Sequence, residues 1–478
     1  MLTRQDFQTI YEQGPDAVFT LITAMQAQIE ALQAEVKELR DRLNTDSHNS
    51  SKPPSSDGLT KKPVSLRQKT GRKPGGQHGH PGKTLSFVPD PDTIVPHSPQ
   101  QCACCGVLLS ETEGKVTGCR QVYDLPPLRL SVTEHRTLWK TCPACGAANE
   151  GVFPPDVSQT VQYGPRVKSL GVYLLSYQLL PYQRIAALFA DLFDAPLSPG
   201  TLCTAQQTCA TGLADVLSKI RDGLQTAPVV HFDETGWRLG GKLHWLHSAG
   251  TETLTYYAWH EKRGKVGMDA AGILPHFTGT ALHDGWASYQ YYPCRHALCN
   301  AHHLRELTAL WEQEAQDWAA RMRSLLVEIK KAVERAKENG AKRLSALLQC
   351  RFEAHYRKLL NAGFAQNPPP DSPLRTKRGR PKQSKARNLL LRLQQGMAQT
   401  LAFMYDFSVP FDNNLAERDV RMMKVQQKVS GGFRSAEGAE AFCKVRSYIS
   451  TLRKQGQSIL PALEHVFLGK PICPQIGG

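Results

Sequence analysis

The stretch PVVHFDETGWR (residues 228–238) decides the fold. Val229 to Phe232 is a short β-branched and aromatic run, suited to a pleated, half-buried strand, and a carboxylate, Asp233, closes it. A second run of this kind, TALHDGWASY (280–289), is closed by Asp284. Both carboxylates are therefore expected at the C-terminal tips of strands. Between them the pattern predicts strands at His244–Ser248 and Leu254–His260, then a helix over about Lys265–Leu274. Three strands, a helix and a fourth strand in this order build a ribonuclease-H-like core. Its first and fourth strands are neighbours, so Asp233 and Asp284 can share divalent metal. Two metal ions between carboxylates activate a water or hydroxyl for in-line attack on phosphorus. Glu234, the next residue along, is expected on the opposite face of the strand.

A third acidic position lies far downstream in VPFDNNLAERDVR (409–421). Glu417 opens a helix that continues through Arg418, Arg421 and Lys424, cations placed to meet DNA. Asn414 and Glu417 have the spacing of a capping box, in which the carboxylate serves only the helix start. Alternatively Glu417 is the third metal ligand. The two readings are compatible, because a helix starting at the sheet edge aims its first turn at the metals.

These residues carry a family resemblance. HFDETGWR (231–238), LHDGWASY (282–289), CNAHHLREL (299–307) and VPFDNNLAERDVRMMKVQQKVSGGFRS (409–435) closely resemble the large transposase of the insertion-sequence sixty-six family. The likeness extends from SSKPPSSDG (50–58) to SYISTLRKQG (447–456). It implies a DDE transposase with Asp233, Asp284 and Glu417 at the triad positions and Mg²⁺ or Mn²⁺ as the catalytic metal. It also implies small accessory proteins as partners.

Composition points the same way. Lys and Arg number 58 against 43 Asp and Glu, a net charge of +15, which suits a polyanionic partner because phosphate contacts dominate nucleic-acid binding. No apolar run is long enough to span a bilayer, and the N-terminus has no signal-peptide core. Thirteen unevenly spaced cysteines argue against a secreted disulfide framework. The expected place of work is the cytoplasm, at the nucleoid.

The rest divides into modules. Residues 15–45 read as a coiled coil, with Ile22, Ile29, Val36 and Leu43 at one seam position and Met25, Leu32 and Leu39 at the other. β-Branched residues facing leucines favour a parallel two-stranded coil, hence a homodimer or higher oligomer. Residues 46–101 are a basic Pro/Gly/Ser-rich segment, either a solvated linker or a DNA-contacting arm through Arg72 and Lys73. In 102–150, Cys102 with Cys105 and Cys142 with Cys145 form two CxxC knuckles, the ligand set of a closed tetrahedral zinc ribbon. Residues 160–224 have helical periodicity and include a candidate helix-turn-helix, RIAALFADLF (184–193) followed by a second helix capped at Ser198.

The core's first part spans 225–300. A helical insertion covers 301–405 and carries a basic loop. There Arg378, Gly379, Arg380 and Pro381, with Lys382, suit a narrow minor groove or a solvated linker. Residues 406–478 return to the core with the third carboxylate. In CNAHHLREL, Cys299 and His302 are either metal ligands or, with no second pair beside them, residues packed behind the site, and His303 and Arg305 are candidates to touch DNA near the scissile phosphate. The expected whole is a multidomain α/β protein: a ribonuclease-H-like catalytic core with a helical insertion, plus an N-terminal coiled coil, a zinc ribbon and a helical domain. The expected reaction is cleavage at element ends and joining to target DNA. A ribonuclease-H-like nuclease or resolvase accounts for the carboxylates but not for the long tethering modules. A DNA-binding regulator accounts for charge, zinc and coil but needs no carboxylates.

Overall fold

The computed structural model describes residues 3–46, 48–50, 85–369 and 383–477. Arg72 and Lys73, and Arg378, Arg380 and Lys382, lie outside the described residues.

Helix α1 (Arg4–Glu12) opens with a capping box between Thr3 and Asp6. Helix α2 (Pro15–Leu43) follows Gly14, and Pro15 at its first position lacks the N–H that a helix start leaves unpaired anyway. Its 29 residues extend about 43 Å at 1.5 Å per residue. Ile22, Met25, Ile29, Leu32, Val36 and Leu39 are all exposed along it, so the chain's own body leaves this seam uncovered.

The knuckle region carries one short antiparallel ladder, β1 (Trp139–Thr141) with β2 (Ala148–Glu150). No residue from 85 to 160 is buried. A segment without a hydrophobic core needs another source of folding free energy, and two CxxC turns can draw it from metal. Helix α3 (Pro165–Val172), α4 (Tyr182–Phe193), α5 (Pro199–Gly212) and α6 (Ala214–Thr226) follow. Helix α4 ends on Asp194 in the left-handed region (φ 51°), and the Ser198 hydroxyl caps α5 by accepting from the Thr201 N–H at 3.0 Å. Ile185, Phe189, Leu197 and Leu202 lock the pair together.

Next come β3 (Val229–Leu239), β4 (Lys242–Gly250), β5 (Thr255–His260), helix α7 (Lys265–Ala270), β6 (Thr280–His283) and β7 (Arg295–Leu298). They form one mixed sheet in the order β5-β4-β3-β6-β7. The β3–β4 and β4–β5 pairs are antiparallel, and the β3–β6 and β6–β7 pairs are parallel. Gly240 and Gly241, at φ 53° and 83°, make the tight β3–β4 turn, where two consecutive positive φ values match the strand twist. The helix expected to reach Leu274 stops at Ala270, because the chain turns at Gly272 (φ 71°).

One expectation is corrected here. Asp233 is not at a strand tip: it is the fifth of eleven residues in β3, which runs on to Leu239 against β4. Only the parallel partner stops early, its last pair being His231 with Leu282. The sheet opens on the β6 side alone, and Asp233 stands at that opening.

Helices α8 (Asn300–Glu314), α9 (Asp317–Glu338), α10 (Ala346–Gln366), α11 (Lys385–Gln395), α12 (Met397–Thr400) and α13 (Ala402–Tyr405) surround a separate core that includes Trp318, Met322, Tyr356 and Leu390. The chain then returns through α14 (Asn414–Ser430), α15 (Ala436–Lys454) and α16 (Ile459–Phe467). Met422, Met423 and Phe442 of α14 and α15 pack on Trp237, Leu246 and Tyr257 of the sheet. Among the described residues, no helix is long and apolar enough to cross a membrane.

Candidate active site

Asp233 is held on its strand by local bonds: its Oδ1 accepts the Glu234 N–H at 2.8 Å, and the Ser248 hydroxyl donates to its carbonyl at 3.2 Å. Burial first, then repulsion from Glu234 and Asp284 and more weakly from Glu417, pushes its carboxyl up to about 8. Side chains from three distant segments thus share one electrostatic neighbourhood. The three carboxylates do not close to within 4.8 Å of one another as a trio.

Asp284 follows the last residue of β6 and caps its own loop, its Oδ1 accepting the Trp286 N–H at 2.9 Å. Gly285 turns the chain at φ 90° and donates its N–H to His283 Nδ1 at 3.0 Å. That bond determines the tautomers behind it. His283 donates from Nε2 to His296 Nδ1 (3.1 Å), and His296 donates from Nε2 to the Tyr292 carbonyl (3.0 Å). Burial depresses His283 to about 3, so it is neutral at working pH and the chain of bonds stays intact. The His283 ring also stacks on Tyr289, with centroids 4.1 Å apart.

Glu417 is placed otherwise than a capping box requires. The cap residue of α14 is Asn413, not Asn414, which makes Glu417 the fourth helical residue, and its carboxylate serves no cap amide. It accepts from Arg305 Nη2 at 3.1 Å and lies 3.9 Å from His302 Nδ1. Cys299, His302 and Glu417 bring ligand atoms within 4.8 Å of one another, the only such group of three or more among the described residues. Arg305, expected near DNA, is thus engaged with Glu417. His303 is buried, its Nδ1 without a hydrogen-bond partner and its ring depressed to about 3 by burial.

Asn413 is a residue the sequence reading passed over. Its Nδ2 donates to the Phe232 carbonyl (2.8 Å), its Oδ1 accepts from His231 Nδ1 (2.7 Å), and its backbone N–H donates to Cys299 Sγ (3.1 Å). One buried amide therefore joins the strand of Asp233, the start of α8 and the start of α14. Asn413→Ala leaves the His231 and Phe232 groups unsatisfied and is expected to cost roughly 2–3 kcal/mol. A urea midpoint equal to wild type would contradict this. The only signal in the sequence was a polar pair, Asn413-Asn414, in front of an apolar helix face.

Glu234 lies on the face of β3 opposite Asp233, as strand alternation suggested: Phe232 and Glu234 meet Tyr289, whereas His231 meets Asn413 at the start of α14. Its buried carboxylate accepts from the Tyr289 hydroxyl and, at 3.3 Å, from Arg263 Nη2. Arg263 also lies 3.8 Å from Asp284. Burial raises Glu234 to about 7, against the lowering effect of Tyr289 and Arg263.

Of the helical cations expected to meet DNA, Arg418 and Arg421 are exposed. Lys424 is exposed as well, and it donates to the Gly236 carbonyl at 2.6 Å, tying α14 to β3. The second helix of the helix-turn-helix pair, α5, contains no Lys or Arg; its exposed side chains include Thr204, Gln207 and Thr208.

In the knuckle region each CxxC is a folded turn. Gly106 and Gly146, at φ 74° and 69°, return their N–H to the carbonyls of Cys102 and Cys142 at 2.9 Å. Backbone N–H groups of Cys105 and Cys104 lower the Cys102 thiol, and those of Ala144 and Cys145 lower Cys142. Amides that stabilise thiolate are what a zinc knuckle needs, and each turn by itself offers two thiols to an ion, but the thiols of the two knuckles do not gather within 4.8 Å of one another. Cys142→Ser is expected to lose one zinc per chain and the β1–β2 ladder with it, read by elemental analysis and limited proteolysis of residues 85–160. Equal zinc content in wild type and variant would remove the idea.

The model of "Transposase IS66 family" matches residues 160–441. "Zinc-finger binding domain of transposase IS66" matches 99–148, and "Family of unknown function (DUF6444)" matches 8–86. "Uncharacterized protein y4jD" of Sinorhizobium fredii is 23% identical over 430 residues, covering 81% of this chain and 79% of its own.

Proposed function

Because the chain belongs to the IS66 transposase family, we propose that Asp233, Asp284 and Glu417 are its DDE triad, cutting DNA at the ends of a mobile element and joining them to target DNA. What carries the reading is placement: Asp233 stands on β3 beside the end of β6, which Asp284 follows, and the start of α14, which carries Glu417, is bonded to β3 through Asn413. The strand order, with antiparallel first, second and third strands and parallel fourth and fifth, supports a ribonuclease-H-like core. Excess negative charge in a partly buried cleft is the condition that divalent cations relieve. Mg²⁺ or Mn²⁺ held there supplies Lewis-acid activation of the attacking oxygen and neutralises charge on the leaving one.

The protein's own work is positional. The His283–His296 chain fixes the Asp284 loop, Asn413 sets the start of α14 beside β3, and Arg305 orients Glu417. Exposed Arg418 and Arg421 on the same helix are placed to hold backbone phosphate beside the carboxylates. Zn²⁺ in the ribbon, and the basic arms with Arg72, Lys73, Arg378, Arg380 and Lys382, extend the DNA contact beyond the cleft.

The test incubates the protein with a supercoiled donor bearing element ends and Mg²⁺. Strand joining supports transposition, cutting without joining points to a nuclease or resolvase, and binding alone to a regulator. The exposed seam of α2 supports pairing with a second copy, which a transposase uses to hold two ends together. Leu32→Asp puts a charge into that seam and is expected to halve the sedimenting mass. A wild type that is already monomeric would defeat this part.

A further inference from the structure

Arg263 lies in the loop between β5 and α7 and faces the carboxylates, not solvent alone. Its guanidinium carbon is 4.1 Å from the Trp286 ring centroid and 5.0 Å from that of Trp245. Its Nη2 is 3.3 Å from Glu234 Oε2 and 3.8 Å from Asp284 Oδ2, and Glu234 is the more deeply buried of the two acids. Its Nε is buried without a hydrogen-bond partner, so the fork's donors are not all satisfied. The contacts are thus unequal: two indole faces and Glu234 anchor the cation, while Asp284 holds it at longer range.

We propose that Arg263 is a built-in counter-ion that competes with divalent metal for Asp284, and that Glu234 is its anchor rather than a metal ligand. The inference rests on the triad reading above. A guanidinium and a divalent cation neutralise the same carboxylate oxygens, and Asp284 cannot give both its full charge. The short, buried Glu234 contact persists when metal takes Asp284, and only the 3.8 Å contact is relinquished. The freed N–H then faces the cleft, where phosphate is the acceptor that matches a guanidinium. Until metal arrives, the same cation lessens the repulsion among Asp233, Glu234 and Asp284.

The test measures Mn²⁺ affinity by electron paramagnetic resonance on the zinc-loaded full chain without DNA, together with thermal midpoints in chelator. Arg263→Gln is expected to tighten Mn²⁺ binding by about tenfold, the size that one charge-assisted contact commands. It is also expected to lower the midpoint in chelator, where the carboxylates lose their counter-ion. A residue that merely supported the site would move affinity the other way, so unchanged or weakened binding overturns the proposal. Arg263→Lys keeps the charge without the fork, tests the same point should Arg263→Gln misfold, and is expected to tighten binding less. In an Asp284→Asn background the tightening should vanish, and its persistence would also overturn the proposal. A folded wild type that binds no Mn²⁺ would overturn the triad reading itself, and this inference with it.

Discussion

Asp233→Asn and Asp284→Asn are each expected to abolish strand cleavage while leaving affinity for element ends nearly intact. Phosphate and base contacts lie on other residues, so the loss falls on the chemical step. Cleavage by either variant at the wild-type rate would end the triad reading. Asp233→Asn carries a second, independent signature in stability. The Asp233 carboxyl sits at about 8 in the folded protein, against roughly 4 in an unfolded chain. Between those values the folded state holds a proton that the unfolded state has released. In chelator, wild-type stability should therefore fall as pH rises from about 4 to about 8. Asn has no proton to lose, so the variant should show a flatter profile and a higher midpoint than wild type at pH 8. The expected gain is several degrees, because a carboxyl held at about 8 rather than roughly 4 corresponds to several kcal/mol at pH 8. An equal pH slope in both proteins would mean that Asp233 is not the group responsible.

Glu417→Gln should lower transposition by at least roughly 10²-fold, several kcal/mol of barrier, and also cost some thermal stability, because Arg305 loses its counter-charge in a pair about as buried as that of Asp419 with Lys454. The side chain caps no helix, so its removal does not loosen the start of α14, and Gln keeps the acceptor that Arg305 uses. Near-normal activity would return Glu417 to a purely structural role. Asp419, two residues on, makes an instructive contrast. It is paired with Lys454 at 2.8 Å with both side chains mostly buried, and its carbonyl accepts from the Tyr257 hydroxyl at 3.0 Å. Asp419→Asn leaves a buried ammonium without its carboxylate and should cost about 3 kcal/mol of stability. The two acids of one helical turn thus separate by their main readout, activity for Glu417 and unfolding for Asp419. The reverse pattern, a stable but inactive Asp419→Asn beside an active Glu417→Gln, would mean that the wrong carboxylate has been chosen.

The strands after Asp233, the two knuckles and the apolar seam of α2 were all legible along the chain. Each rests on periodicity or turn chemistry within a few residues, and such signals survive without tertiary contacts. The side-by-side placement of the first and fourth strands was legible too, because few topologies accommodate that order of elements. The site's detail was not. Strand alternation placed Glu234 on the far face but could not show its partner there, Arg263, which comes in from a loop 29 residues away and also approaches Asp284. Spacing gave Glu417 a capping role, yet the helix begins one residue earlier because Asn413 is bonded to His231, 182 residues away in sequence. The bond from exposed Lys424 to Gly236, 188 residues away, was equally beyond the reach of sequence. The sequence by itself determined which elements form, since these depend on short-range backbone preference, but it ended the strand of Asp233 too early. Only the tertiary structure decided which charges meet. Ion pairing and desolvation depend on distances that packing alone sets, and a shift of a few ångströms in a helix changes which partners a carboxylate meets.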